Sequence, residues 1–254
     1  MADVRTVRRL LASKPAFSGG RLPNELVLSI LDCAEYHPIL TSERTEWMQV
    51  TAEHPPYCQN VLYLVGNPLP VPGNGHTLKI LDVRFTIQSR DQGWTTEDDQ
   101  SIRNSSSWFE VSIVRPDDLA EDDAVQISYR GDFPAEYRDS SPTGLHFDSH
   151  SGAKLVERTT MTERVRDADR EPQWEGSHTW FLHANRVAYK NDVTTEVVWH
   201  RGGNWEGAED AGNGQGFIET LKPRDRIVVW VRATRRGWAN KVANVKVDVK
   251  YKIL

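Results

Sequence analysis

The stretch Ile227-Val228-Val229-Trp230-Val231 decides how the chain reads, with Val242, Val245, Val247, Val249, Tyr251 and Ile253 close behind it. The first run is unbroken, β-branched and aromatic, which is the pattern of a central strand buried on both faces. The second alternates with Asn, Lys and Asp, so one face is apolar and the other polar, as in a half-buried strand. Working outward, short strands are expected at Val61–Val65, 107–114, 125–130, 154–161, 179–188 and 193–200. A longer one carries Leu78, Ile80, Val83, Phe85 and Ile87. Its phase changes near Leu81-Asp82, which predicts a β-bulge. About nine strands separated by turn residues, with no long helical pattern between them, predict a mainly β fold: an antiparallel jelly roll or β-sandwich.

Before the strands the pattern differs. Residues 1–20 lack periodicity, carry Arg5, Arg8 and Arg9, and end in Ser18-Gly19-Gly20, which reads as a flexible tail rather than a presequence. No apolar run of signal-peptide length follows the arginines. Residues 22–36 carry apolar residues at helical spacing. Leu22, Leu26, Ile30 and Cys33 share one face, with Val27, Leu31 and Ala34 beside them. Pro23 suits a first helical turn and Pro38 ends the helix. The expected organisation is a tail at 1–20, a helical segment at 21–60 and a β-sandwich at 61–254.

The chain of 254 residues has a formal net charge of −5 and 26% charged residues. That balance argues against nucleic-acid or anionic-membrane partners, which need a basic surface. No apolar run approaches the roughly 20 residues that span a bilayer. Of the two cysteines, Cys33 and Cys58, Cys33 lies in the apolar helical pattern and is expected to be a buried free thiol. Free thiols point to a reducing compartment, cytoplasmic or nuclear.

Catalytic signatures are missing: no Gly-x-Ser-x-Gly elbow, phosphate loop or His-Glu-x-x-His occurs. Neither an enzymatic activity nor a cofactor is expected. Cys58 near His54 is separated from it by a Pro-Pro-Tyr spacer. His146, Asp148 and His150 alternate at a spacing that can ligate zinc but lie between glycines, and no fourth ligand is evident. Asp91, Glu97, Asp98 and Asp99 supply hard oxygens of the kind calcium takes, without the spacing of a dedicated loop. Both clusters read as solvated loops. Asp91 and Glu110, flanked by Trp94 and Trp108, are the nearest approach to a glycosidase carboxylate pair.

The nine tryptophans are more informative. Asp91-Gln92-Gly93-Trp94, Arg201-Gly202-Gly203-Asn204-Trp205 and Arg236-Gly237-Trp238-Ala239-Asn240 each join a Trp to amide, carboxylate or guanidinium groups in a Gly-containing turn. Sugars and small ligands are held by such sets, with a ring on an aromatic face and hydroxyls on polar groups. Asp91, Gln92, Trp94, Arg201, Asn204, Trp205, Arg236, Trp238 and Asn240 are therefore candidate ligand contacts if the three turns share one end of the sandwich. The alternative is that each Trp plugs its own turn.

Leu22-Pro23-Asn24-Glu25-Leu26…Ile30-Leu31 resembles the opening of an F-box. The resemblance implies that Leu22, Pro23, Leu26, Ile30 and Leu31 dock the Skp adaptor of a cullin ubiquitin ligase. The alternative is a helix that only covers the sandwich. The remainder is similar to a β-sandwich of filamentous fungal proteins, through Asp91-Gln92-Gly93-Trp94, Ser107-Trp108-Phe109-Glu110 and Leu221-Lys222-Pro223-Arg224-Asp225-Arg226…Trp230…Gly237-Trp238. More distantly it resembles the galactose-binding-like F-box-associated domain of glycoprotein receptors. The expectation is a recognition module whose partners are the adaptor and a protein or glycan target. The competing expectation is a stand-alone lectin-like or small-ligand-binding sandwich with no ligase role.

Overall fold

The alternation at the C-terminus produces the longest strand of the molecule. The computed structural model describes residues 4–13, 22–34, 36–54, 57–95, 105–116, 153–158, 163–164, 173–174, 178–208 and 211–254. Two short helices come first, α1 (Val4–Ser13) and α2 (Asn24–Cys33). The strands then run β1 (Ile39–Arg44), β2 (Met48–Thr51), β3 (Cys58–Val65), β4 (Leu78–Arg90), β5 (Ser107–Pro116), β6 (Ala153–Leu155), β7 (Glu163–Arg164), β8 (Gln173–Trp174), β9 (Trp180–Ala184), β10 (Val193–His200) and β11 (Trp205–Glu206). A single turn of helix, α3 (Phe217–Thr220), precedes β12 (Arg226–Thr234) and β13 (Ala239–Ile253).

Two antiparallel sheets pack face to face, giving the expected β-sandwich. One has the order β1-β13-β4-β10-β11, with β2 also on β13; the other has the order β3-β12-β5-β6, with β9 also on β5. β13 is paired along nearly its whole length with β4, from Lys241↔Arg90 to Ile253↔Leu78. The inward phase of the first sheet (Val83, Phe85, Ile87, Val197, Trp199, Val245, Val247, Val249) meets that of the second (Phe109, Val111, Ile113, Val229, Val231) in one apolar cluster. Its aromatic centre is Phe217, with edge contacts to Trp180 at 5.0 Å and Trp199 at 4.9 Å. These geometries add to the gain from buried area. The chain returns behind Trp199 at Gly214, whose φ is +60°; a Cβ there would fall 2.1 Å from the indole. Only glycine fits.

β12 is buried on both faces, as its unbroken run predicts. Its outward residues Val228 and Trp230 join Val114 and Ala153 in a second cluster, where the Trp230 indole donates to Ser112 Oγ at 2.9 Å. Beside them lies a buried ion pair: Arg232 donates to Glu110 at 2.6 Å, and the Trp108 indole donates to the other Glu110 oxygen at 2.7 Å. Burial works against the Arg232 charge, but Glu110 and Cys58 outweigh it and raise the pKa. The bulge expected near Leu81-Asp82 is present. Lys250 faces Asp82 and Tyr251 faces Ile80, so Leu81 is the extra residue.

Several expectations change. Residues 39–51, read as part of a helical segment, form β1 and β2, which lie in the first sheet against β13. Alternation in Ile39–Arg44 is weak because the half-buried phase of this edge strand carries Ser42 and Arg44 beside Leu40: the Ser42 hydroxyl accepts from the Asn67 N–H at 2.8 Å and Arg44 donates to the Tyr63 carbonyl at 2.6 Å. Cys33 is exposed rather than buried, and neither it nor Cys58 is in a disulfide. The helix turns its Val27–Leu31 stripe inward and leaves Cys33 on the other side. A two-stranded ladder, β7 with β8, occurs between the strands expected at 154–161 and 179–188. The strand expected at 125–130 and the residues Glu97, Asp98, Asp99, His146, Asp148 and His150 of the two clusters expected to be solvated loops lie outside the described residues. Among the described residues, no three His, Cys, Asp or Glu come together as a metal site, and no helix is long and apolar enough to cross a membrane.

Candidate functional site

The three Gly-Trp turns do not meet. Asp91–Trp94 leaves the C-terminal end of β4, and the Arg236–Asn240 turn joins β12 to β13 beside it. Gly237 faces the Trp94 ring, with a Cβ position 3.6 Å from the indole, and Gln92 Oε1 accepts from the Ala239 N–H at 3.3 Å. The third turn, 200–205, lies at the other end of the same strand, because His200 pairs with Asp82 and the Arg201 N–H donates to Leu81. Eight residues of strand between Asp82 and Arg90 span about 27 Å. Two of the three turns therefore form one end surface, and the third belongs to the opposite end.

Within the shared end, burial divides the candidates. Asp91 is fully buried and accepts the N–H groups of Gly93 at 2.7 Å, Tyr189 at 3.1 Å and Ala188. Burial raises its pKa, and these amide bonds offset only part of that rise. It ties the 91–94 turn to the 188–189 turn, where Ala188 is held at a φ of +59°. Asn240 is also fully buried: it donates to the carbonyls of Trp108 and Arg232 at 3.0 and 3.1 Å and accepts from Asn185 at 2.9 Å. Asn185 accepts in turn from Ser89 at 2.7 Å. Trp238 is buried. Asp91, Trp238 and Asn240 are thus parts of the frame. Trp94 is 58% exposed, Arg236 is exposed, and Gln92, half-buried, donates to the Trp94 carbonyl at 2.7 Å. These three are the candidates that face solvent.

At the other end, Arg201 Nε donates to the Ile80 carbonyl at 2.6 Å, serving the backbone freed by the Leu81 bulge. Asn204 contributes its backbone carbonyl to the His200 N–H at 2.8 Å, and both Asn204 and Arg201 are exposed. Trp205 pairs with Trp199 in the β10–β11 ladder and packs against the core. This turn is a plug. Glu110, the second carboxylate of the glycosidase-like pair, is consumed by Arg232 and Trp108.

A cleft of 210 Å³ opens beside the Trp94 end. It lies where the end of β4 and the start of β10 part from the end of β9, and it is lined by Ser89, Arg90, His183, Arg186, Tyr189 and Thr194, among others. The turn 186–190 links it to the Trp94 turn, since Lys190 packs over Gly93, a Cβ there falling 3.3 Å from Lys190 Cγ. Sequence reasoning passed over this segment because Arg186-Val187-Ala188-Tyr189-Lys190 has no motif. Its one signal was an Arg and a Tyr three residues apart at a strand end.

The helical candidates also divide. Val27 and Leu31 are buried, whereas Leu26 is 51% and Ile30 41% exposed, with Pro23 exposed and Leu22 half-buried beside them. Asp32 anchors the helix to the sheet through Lys252 at 2.6 Å. No known protein-family model matches the sequence, and no curated protein matches it.

Proposed function

We propose that the protein is a two-ended recognition module: α2 docks the Skp adaptor of a cullin ubiquitin ligase, and the Trp94 end of the sandwich binds the target. The observation that carries this is the division of α2. Val27 and Leu31 seat the helix, so the exposed Leu26 and Ile30 are not needed for packing. Exposed apolar pairs at i and i+4 beside a proline make a helix face of the kind buried in a partner's groove. Asp32 and Lys252 form an ion pair at 2.6 Å between this helix and β13. The same Leu-Pro-x-x-Leu stretch carries the F-box resemblance, which assigns the partner.

The test is co-purification of a Skp adaptor with the full chain and with Leu26→Glu/Ile30→Glu. Deleting residues 1–60 would remove β1 and β2 along with the helix, so the double substitution is the cleaner variant. Retention by the native chain and loss by the variant, at equal thermal stability, is the expected result. No retention of the adaptor by the native chain removes the ligase role and leaves a stand-alone binding sandwich. That second reading has its own support in the exposed Trp94 over Gly237.

A further inference from the structure

The cleft at the seam between the sheets has a chemistry of its own. Two guanidinium groups line it and no carboxylate does. Arg90 is already engaged, its Nε ion-paired 3.0 Å from Asp192 and its Nη1 donating to the Lys190 carbonyl. Arg186 is different. It is exposed, and its guanidinium stands 5.8 Å over the Tyr189 ring. A cation–π contact orients the group without using any of its five N–H donors. Those donors form a planar fork that matches a carboxylate with two parallel bonds. Across the cleft, Thr195 lies in the inward phase of β10 opposite Ile87 and brings its side chain to the lining, while the Ser89 and Asn185 side chains bond each other and close the floor. At 210 Å³ the cleft is smaller than the roughly 300 Å³ at which drug-sized ligand sites begin. One ring or one terminal group is the scale it fits.

We infer that this cleft binds a carboxylate-bearing sugar unit: Arg186 takes the carboxylate, and Thr195 takes a hydroxyl. The exposed Tyr189 and the exposed Trp94 beyond Gly93 supply faces for the ring and its neighbour. The inference rests on the ligand-binding half of the function proposed above and is independent of the adaptor. It gives that end a further exposed cation besides Arg236 and with it an anionic preference.

Galacturonate and galactose differ only in the carboxylate, so the pair isolates it. Calorimetric titration of the full chain with each, and with inorganic phosphate, is the test. Galacturonate is expected to bind, with affinity falling about tenfold or more in Arg186→Ala and less in Arg186→Lys, which keeps the charge but loses the fork. Ala208→Phe, which fills the cleft from its wall without touching a charge, is expected to block binding as well. Equal binding of galactose and galacturonate, unchanged in Arg186→Ala, would overturn the anionic site while leaving a sugar-binding end. Binding of phosphate but not galacturonate would make the cleft an inorganic-anion site and overturn it too. No heat with any probe would remove both the cleft and the ligand-binding reading of this end.

Discussion

The two ends of the sandwich are built from the same words, a glycine, a tryptophan and an amide or guanidinium, and they do different things. At the 200–205 end the indole turns inward: Trp205 lies against the core, while the exposed Arg201 is engaged by the Ile80 carbonyl at the Leu81 bulge and the exposed Asn204 closes its own turn through its backbone carbonyl. At the 91–94 and 236–240 end the work is divided. Asp91, Asn240 and Trp238 brace the backbone, which frees Trp94 and Arg236 to stand in solvent beside a polar cleft. Between Trp205 and Trp94 the difference is whether the indole falls in the inward phase of a strand. Trp205 sits on a strand opposite Trp199; Trp94 lies past the end of β4, where no phase constrains it.

Substitutions ranked by expected effect sharpen this contrast. Trp230→Ala, in the two-faced central strand, is expected to cost about 3–5 kcal/mol, as for other buried large aromatics. A denaturant midpoint near that of Trp94→Ala would break the division between core and platform. Asp91→Asn keeps the shape but turns a donor toward backbone N–H groups, at a cost of about 1–3 kcal/mol. Its effect depends on pH. Because burial raises the folded-state pKa of Asp91, its contribution is fully present below the ordinary aspartate range and is lost as pH rises through the raised value. Asparagine does not titrate, so the stability gap between native and variant is widest in acid and narrows toward neutrality. Urea midpoints at about pH 3 and pH 7 check the sign, and a gap that widens with pH would show that Asp91 is not held in this way. Trp205→Ala, half-buried, is expected to lose about 1 kcal/mol. Trp94→Ala should change stability by less than about 0.5 kcal/mol.

Much of the sandwich was legible. The unbroken Ile227–Val231 run, the alternation from Val245 to Ile253 and the slip at Leu81 each report a physical constraint that acts along one strand. β1 was not legible, because an edge strand needs few apolar residues and Ile39–Arg44 offers few. The site was legible only in part. Sequence singled out Trp94, Gln92 and Arg236, but the pairing that puts His200 opposite Asp82, and so sends the third turn to the far end, is set across strands. The roles of Asp91 and Asn240 as braces follow from burial, which the turn composition did not reveal. Arg186 and Tyr189 gain meaning only from the parting of β9 and β10.

The most direct test of the account is a glycan-array comparison of the native chain with Trp94→Ala and Trp205→Ala. The account predicts that signals seen with the native chain persist in Trp205→Ala and fall at least about tenfold in Trp94→Ala. Signals lost in Trp205→Ala and kept in Trp94→Ala would place the binding end on the opposite side of the sandwich and contradict it.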